Sequence, residues 1–312
     1  MVTLKDIVAA HDRIAPFIHR TPVLTNKSLN ELSGAELYFK CENFQKAGSF
    51  KIRGATNTVE LLNQNELDRG VATTSSGNHG AALSMAVSRR NGNTQVVMPH
   101  NTPKIKVRNV ERNGGQVIWC EPDQTSRENV LKDLVSKTGS TVVHPYNDER
   151  IVMGQGTAGK ELIEDFPDLD AIISPVSGGG LLSGTLISAQ GLNPKIKVYG
   201  AEPIEADDTF LSLKKGEIVA NKTIDTICDG LRAQIGTITF PIIQSYVQEI
   251  ITLTEEEIVE SMKMIWERMK IVVEPSCSIT LSAVLKSREL FRGKKVGLII
   301  SGGNVDLEHL PW

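Results

Sequence analysis

Ser49-Phe50-Lys51-Ile52-Arg53-Gly54 is the stretch around which the chain is organised. The small polar residue at its start and the apolar positions that follow predict a helix with Ser49 as its N-cap. Lys51 then lies in the first turn, where the positive end of the helix dipole disfavours a cation. That cost disappears if the amine is neutral and reactive, as in a Schiff base to an aldehyde cofactor. From this stretch alone, a solvated surface lysine remains the simpler interpretation.

Composition limits the kind of protein. The 312 residues are 40% hydrophobic and 23% charged, which is ordinary for a soluble α/β protein of one large unit or two lobes. A net charge of −3 without a basic run argues against nucleic acid as the main partner. No apolar run approaches the roughly 18 residues of a membrane span, and the start does not resemble a secretory signal. Because the four cysteines are widely spaced, we expect reduced thiols and a cytoplasmic location.

Strand and helix patterns alternate from about residue 70 onward at the spacing of βαβ units. This predicts an α/β fold of two lobes, each a mostly parallel sheet with helices on both faces. The expected large domain comprises residues 1–68 and 148–312, and a small domain, residues 69–147, is inserted within it. A cleft should separate the two. The strand patterns of the large domain lie at residues 171–176, 195–199, 249–253 and 295–300. Its helix patterns include residues 154–165, 181–189, 278–290 and 255–269, the last with a capping box at 254–257.

The strongest physical signal for a ligand is Ser177-Gly178-Gly179-Gly180-Leu181. This loop follows an apolar strand and opens a helix, so its backbone N–H groups can converge on one anion. The glycine spacing does not match a dinucleotide fingerprint, and no P-loop lysine follows. A compact phosphate monoester therefore fits better than a pyrophosphate. A plain glycine turn between strand and helix is the alternative.

Two further loops end predicted strands. Ser75-Ser76-Gly77-Asn78-His79-Gly80 leads into a helix and offers hydroxyl, amide and N–H groups to a small carboxylate. Ser301-Gly302-Gly303-Asn304 ends the last strand, where a hydroxyl faces the crevice in which parallel sheets bind ligands. An N-capping loop and a terminal turn are the simpler alternatives.

An acidic cluster follows another strand and comprises Glu202, Glu205, Asp207 and Asp208. Carboxylate oxygens of this kind suit Mg²⁺ or Ca²⁺ better than zinc. A solvated acidic loop is the alternative.

Together these motifs resemble the fold-type II pyridoxal phosphate (PLP) enzymes, and within them the serine racemase and serine/threonine dehydratase group. The resemblance covers essentially the whole chain. Its motifs are Thr-Pro-Val-Leu (21–24), Phe-Lys-Cys-Glu (39–42), Gly-Ser-Phe-Lys-Ile-Arg-Gly (48–54), Ser-Ser-Gly-Asn-His-Gly (75–80), Gly-Gln-Gly-Thr (154–157), Ser-Gly-Gly-Gly-Leu (177–181), Ala-Glu-Pro (201–203) and Ser-Gly-Gly-Asn-Val-Asp (301–306).

The resemblance implies that Lys51 holds PLP covalently and acts as a general base at the substrate Cα. Asn78 would contact the ring oxygen of the cofactor, and Ser301 would face its pyridine nitrogen. The cofactor phosphate would lie on Ser177, Gly178, Gly179, Gly180 and Leu181.

Ser76 distinguishes activities within this group. Racemases of the family carry a serine here that faces the substrate opposite the lysine, whereas threonine dehydratases commonly carry alanine. The resemblance therefore implies interconversion of L- and D-serine, accompanied by dehydration of serine to pyruvate and ammonia. The alternatives are a threonine or 3-hydroxyaspartate dehydratase and, in another class, a PLP- or amino-acid-binding protein without catalysis. The presence of both Lys51 and Ser76 argues against the binding protein.

The remaining expectations also come from the resemblance. The substrate carboxylate should lie in the loop of Ser75, Ser76, Gly77 and His79, with Arg127 approaching it on closure. Mg²⁺, or Ca²⁺ or Mn²⁺, should lie on Glu202, Asp208 and the backbone oxygen of Ala206. A homodimer is expected, whereas activation by ATP is doubtful because Ala81 and Asn113 replace residues of the ATP site in animal racemases. Ala233 replaces a serine that some relatives carry near the substrate, and Tyr146 replaces an asparagine near the cofactor.

Overall fold

Two sheets organise the chain, which the computed structural model describes over residues 2–75 and 77–312. The strands are β1 (Val23–Leu24), β2 (Glu36–Cys41), β3 (Val71–Thr73), β4 (Thr94–Pro99), β5 (Gly115–Cys120), β6 (Thr141–Val142), β7 (Ala171–Pro175), β8 (Lys197–Pro203), β9 (Glu249–Leu253) and β10 (Lys295–Ile300). The α-helices are α1 (Leu4–Ile14), α2 (Lys27–Ser33), α3 (Lys51–Glu60), α4 (Gln64–Arg69), α5 (Asn78–Arg89), α6 (Lys104–Arg112), α7 (Gln124–Thr138), α8 (Glu149–Asp165), α9 (Gly180–Leu192), α10 (Asp208–Lys215), α11 (Thr239–Tyr246), α12 (Glu255–Met269), α13 (Pro275–Lys286) and α14 (Arg288–Phe291). Short 3₁₀ turns lie at Glu42–Phe44, Lys46–Gly48, Ile204–Ala206 and Asp229–Leu231.

The larger sheet has six strands in the order β1-β2-β10-β7-β8-β9. Only its edge pair, β1 and β2, is antiparallel. Side chains of β7 alternate between the two faces, as a strand covered on both sides requires. Ala171 and Ile173 pack in the core under α12 and α13, whereas Ile172 packs in the core under α8 and α9. The strand is therefore buried along its whole length.

The smaller sheet has four parallel strands in the order β5-β4-β3-β6. Its strands and the helices α5, α6 and α7 alternate along the chain, as the βαβ spacing predicts. The α/β class with two mostly parallel sheets is therefore confirmed. All four strands fall within the predicted insertion, residues 69–147, although the domain bounds themselves stay a prediction. Over the described ranges, no helix has the length and apolarity needed to cross a bilayer.

The start of α3 differs from the sequence prediction. Ser49 does not cap this helix, since Phe50 takes the position before Lys51 and the Ser49 hydroxyl is buried without a hydrogen-bond partner. The backbone of Ser49 is extended because it forms an antiparallel bridge with Gly302. That pairing fixes the backbone of Ser49, so a tertiary contact stands where the sequence predicted a local cap.

A buried ion network ties the first turn of α3 to the large sheet and to α8. Arg53 donates to Glu42 at 2.7 and 2.8 Å and to Glu161 at 2.8 and 2.9 Å, which satisfies both carboxylates with one planar guanidinium. Lys40 donates to Glu161 at 2.6 Å. All four side chains are at most 1% exposed, and their charges sum to zero. Although burial opposes ionisation of Glu161, Arg53 and Lys40 hold its pKa down at about 2.

Removing one member of this network should cost far more than breaking a surface pair on the same helix. We expect Glu161→Gln to lower the free energy of unfolding by about 3–5 kcal/mol, because Arg53 and Lys40 keep their buried charge with one carboxylate between them. The matched control is Glu164→Gln, one turn further along α8, whose ion pair with Lys160 is exposed at the glutamate. It should lower stability by less than about 1 kcal/mol. Urea unfolding followed by circular dichroism measures both, and equal losses would contradict this account.

Candidate active site

A cleft with a volume of about 1290 Å³ opens where the carboxyl ends of parallel strands from both sheets meet. The residues after β3, β6, β7 and β10 all contribute to its wall, as expected for ligand sites in parallel sheets. The sequence-predicted residues that line it are Lys51, Ser75, Gly77, Asn78, His79, Arg127, Ser177, Gly178, Gly179, Gly180, Leu181 and Ser301. Ser76 lies outside the described residues. Glu202, Ala206 and Asp208 are not among the lining residues.

Lys51 and Ser301 come together because the chain segments beside them are joined. The antiparallel bridge between Ser49 and Gly302 is extended by a hydrogen bond from Phe50 N to Ser301 O at 3.0 Å. Gly303 N donates to Gly48 O at 3.0 Å on the other side. These contacts place the start of α3 directly at the end of β10, the strand that pairs with β2 and β7 within the large sheet.

The amine of Lys51 lies in a setting that favours its neutral form. Its Nζ donates to the backbone oxygen of Pro145 at 3.1 Å, in the segment between β6 and α8. Burial lowers the pKa of Lys51 to about 8, against a smaller opposing effect of the Glu274 charge. A neutral amine is nucleophilic and can accept a proton, so this lysine has the properties of a reactive group.

The glycine loop after β7 is shaped by close contacts. Gly179 has φ +88°, a conformation that side chains rarely adopt, and a Cβ on Gly178 would lie 2.2 Å from ring atoms of Tyr146. Thr239 Oγ1 donates to Gly178 O at 2.7 Å and holds the loop from behind. Gly180 begins α9, a helix of 13 residues, so the loop presents the positive end of a helix dipole to the cleft. An anion cradle and a reactive amine therefore share one cavity, which fits PLP.

Asn78 and Glu274 form a polar pair that the sequence analysis only half found. Asn78 Nδ2 donates to both oxygens of Glu274, at 2.9 and 3.2 Å, and Asn78 Oδ1 accepts from Asn304 Nδ2 at 2.9 Å. Glu274 is 3% exposed. Burial, reinforced by the charge of Asp229, raises its pKa to about 8. The available signal was an acid that follows the apolar run 271–273 and precedes a proline at a helix start.

Two histidines near Lys51 are held in the neutral form. Burial lowers the pKa of His79 to about 3, and its Nε2 lies 3.4 Å from Val143 O. Burial also lowers the pKa of His144, whose Nδ1 accepts a hydrogen bond from Asn147 N at 3.0 Å. Neither ring adds positive charge beside the lysine. Arg127, on α7, brings a cation to the cleft, and its Nε is buried without a hydrogen-bond partner.

The acidic cluster divides into a buried pair and a solvent-facing pair. Glu202 and Asp208 are buried, whereas Glu205 is exposed and Asp207 only partly buried. Glu202 accepts from Thr209 N at 3.2 Å and Phe210 N at 3.0 Å, and Asp208 accepts from Ile235 N at 2.6 Å. Burial raises the pKa of Asp208 to about 6, and burial together with the Asp208 charge raises that of Glu202 well above its usual range. Within the described ranges, no three His, Cys, Asp or Glu side chains form a group that could hold a metal.

The lowered pKa of Lys51 has a direct test in cofactor-free protein. Labelling with an amine reagent, followed by mass spectrometry of the Lys51 peptide across pH, should show half-maximal reaction near pH 8. Glu274→Gln should move that midpoint to lower pH, because the carboxylate charge that favours the ammonium form is removed. A midpoint near 10.5, the ordinary lysine value, in both proteins would contradict the assignment.

The chain was compared with known proteins. The model of the family described as "Pyridoxal-phosphate dependent enzyme" matches residues 14–302. The chain is 51% identical to a serine racemase of Dictyostelium discoideum over 99% of this chain and 97% of the relative. It is 47% identical to a β-hydroxyaspartate dehydratase of Paracoccus denitrificans over 99% of this chain and 98% of the relative. The solved structure of maize serine racemase superposes with a TM-score of 0.96 at 43% identity, covering 98% of this chain and 95% of that one. The chain therefore belongs to the pyridoxal-phosphate-dependent enzyme family.

Proposed function

We propose that this enzyme interconverts L- and D-serine and also dehydrates serine to pyruvate and ammonia. The observation that carries the proposal is the buried, easily deprotonated amine of Lys51 in the same cleft as the glycine loop. The similarity to proteins named serine racemase in Dictyostelium and maize supports this pair of reactions over other uses of the fold.

The residues of the cleft fit PLP in the following arrangement. The N–H groups of the loop from Ser177 to Leu181 would bind the phosphate, Asn78 the ring oxygen and Ser301 the ring nitrogen. When bound, PLP supplies an electron sink for the charge that develops at the substrate Cα. A hydroxyl at Ser301, unlike a carboxylate, does not hold a ring nitrogen firmly protonated.

Proton transfer is assigned to two side chains. Lys51, oriented by the carbonyl of Pro145, would remove or return the Cα proton on one face of the substrate. Ser76 is proposed to do so on the opposite face. The loop of Ser75, Gly77 and His79 would bind the substrate carboxylate, with Arg127 as its cation. Because His79 stays neutral, it adds no competing charge at this position.

The activity is tested by incubating purified enzyme with L-serine, PLP and Mg²⁺, and by measuring D-serine by chiral chromatography and pyruvate in one sample. Wild type should form both products. Ser76→Ala should lose D-serine formation while dehydration of L-serine persists, because proton transfer on the lysine face remains. Lys51→Ala should lose both reactions, since the amine that transfers the proton on that face is removed.

Other outcomes of this assay separate the alternatives. Pyruvate without D-serine in the wild type would make the enzyme a dehydratase, and L-threonine and 3-hydroxyaspartate would then be compared as substrates. If neither product forms and the protein shows no visible absorbance from bound PLP, the result would support an amino-acid-binding protein instead.

We also propose a divalent cation, Mg²⁺ or its substitutes Ca²⁺ and Mn²⁺, on Glu202, Asp208 and the carbonyl of Ala206. Two adjacent carboxylates this deeply buried are costly without a positive charge, which their raised pKa values express. Hydrogen bonds from backbone N–H groups already occupy part of both carboxylates, so water would complete the coordination.

This proposal predicts how the cation effect depends on pH. The folded-state pKa of Asp208 is raised to about 6, above its ordinary 3.8, so without a cation the contribution of Asp208 to stability is lost as pH rises through that range. Mg²⁺ should therefore raise the melting temperature more at about pH 7.5 than at about pH 5. Asp208→Asn should remove most of the difference. An equal Mg²⁺ effect at both pH values, or in both proteins, would count against the site.

Three further expectations complete the proposal. The homodimer can be tested by light scattering of the purified protein. Activation by ATP stays doubtful, because Ala81 and Asn113 replace residues of the ATP site in animal racemases. The four buried, unpaired cysteines support the predicted cytoplasmic location.

A further inference from the structure

Two further residues that line the cleft form an ion pair between its two sides. Lys106 Nζ lies 2.6 Å from Asp229 Oδ2. Lys106 is in the first turn of α6, which packs on β5 of the four-stranded sheet. Asp229 begins a 3₁₀ turn that packs on α13, a helix of the larger sheet. The pair therefore joins the layers of the two sheets across the opening of the cleft.

The two residues of this ion pair differ in how firmly their backbones are packed. Asp229 lies in a turn held by the large sheet, whereas Lys106 lies on a helix with a small apolar cluster. Gly230 N donates to Ser276 Oγ at 3.0 Å, and Leu231 is buried in the core of the large sheet. By contrast, the apolar cluster around α6 is small, with Val110 as the one buried residue that the helix contributes. Breaking the ion pair should therefore free α6 from its contact with the Asp229 turn, while that turn keeps its position on the large sheet.

The same ion pair acts electrostatically on Glu274, which lines the active-site cleft. Of the charged groups that act on this carboxyl, Asp229 raises its pKa and Lys106 lowers it. Glu274 in turn acts on Lys51 and accepts hydrogen bonds from Asn78 and from the backbone N–H of Asn304. The thiol of Cys277 donates to the backbone oxygen of Glu274 at 3.1 Å.

We propose that Lys106 and Asp229 are positioning residues whose ion pair holds the cleft closed over substrate and acts electrostatically on Glu274 beside Lys51. The kinetic part of this inference rests on the proposed function. Lys106 is 28% exposed and Asp229 35% exposed, so the pair contributes little to global stability. We expect the ion pair to act instead on closure of the cleft and on the protonation of Glu274.

The test compares Asp229→Asn, Lys106→Gln and the double variant as holoenzymes. All three lose the ion pair, so all three should show a KM for L-serine that is raised about three- to fivefold, without an additive increase in the double variant. The pH dependence of kcat/KM should separate the two single variants. Loss of the Asp229 charge should shift the Glu274 titration to lower pH, loss of the Lys106 charge should shift it to higher pH, and the double variant should lie near wild type.

Hydrogen exchange of α6 gives a readout that does not depend on turnover. The amides of Lys104–Arg112 should exchange faster in all three variants than in wild type, because the helix loses its contact across the cleft. Lys295→Gln is the matched control, since it removes a lysine from a solvent-exposed pair with Asp168. It should change neither KM, the pH profile nor exchange in α6.

Two results would overturn the inference. One is a shift of the pH profile in the same direction, or no shift, in the two single variants. The other is unchanged exchange in α6 when the pair is broken. If wild-type enzyme turns over no L-serine, the proposed function fails by itself, and the exchange experiment still decides whether the pair closes the cleft.

Discussion

The site depends on the neutralisation of one buried cation. Arg53 lies two residues after Lys51 and is completely enclosed, so it must keep Glu42 and Glu161 as partners on either side. These two carboxylates belong to the segment after β2 and to α8, respectively, and their positions determine where the first turn of α3 lies. Because Arg53 is held in this position, Lys51 lies in the cleft. The antiparallel bridge from Ser49 to Gly302 fixes the same turn from the side of β10.

Glycines make that arrangement possible by letting three helices approach closely. A Cβ on Gly154 would lie 2.6 Å from the carbonyl oxygen of Arg53, and one on Gly184 would lie 2.5 Å from Gly156. Helices α3, α8 and α9 therefore pack backbone to backbone around the ion network. Since α9 carries the glycine loop at its start and α3 carries Lys51, the anion cradle and the reactive amine are linked through α8, which contacts both helices.

The sequence correctly predicted the bounds of those strands and helices that depend mainly on their own residues. The strands β9 and β10 and the helix α12, with its capping box from Thr254 to Glu257, have the predicted bounds. By contrast, α8 begins at Glu149 rather than at Gly154, because Asp148 caps the helix by accepting a hydrogen bond from Arg150 N at 2.9 Å. Helix α13 likewise begins three residues before its predicted start.

The residues of the site also fall into those that local sequence predicts and those that depend on contacts between distant parts of the chain. The glycine loop and the strand-end loops were found from sequence because parallel strands deliver their carboxyl ends to one edge. Glu274, the contact of Tyr146 with Gly178, and the pair of Lys106 and Asp229 were missed, since each depends on residues far apart in the chain. The most direct test of the account is to reduce the PLP-loaded enzyme with borohydride, digest it and locate the attached cofactor by mass spectrometry. The account predicts cofactor on the peptide that contains Lys51, and attachment to a different lysine, or no attachment, would contradict it.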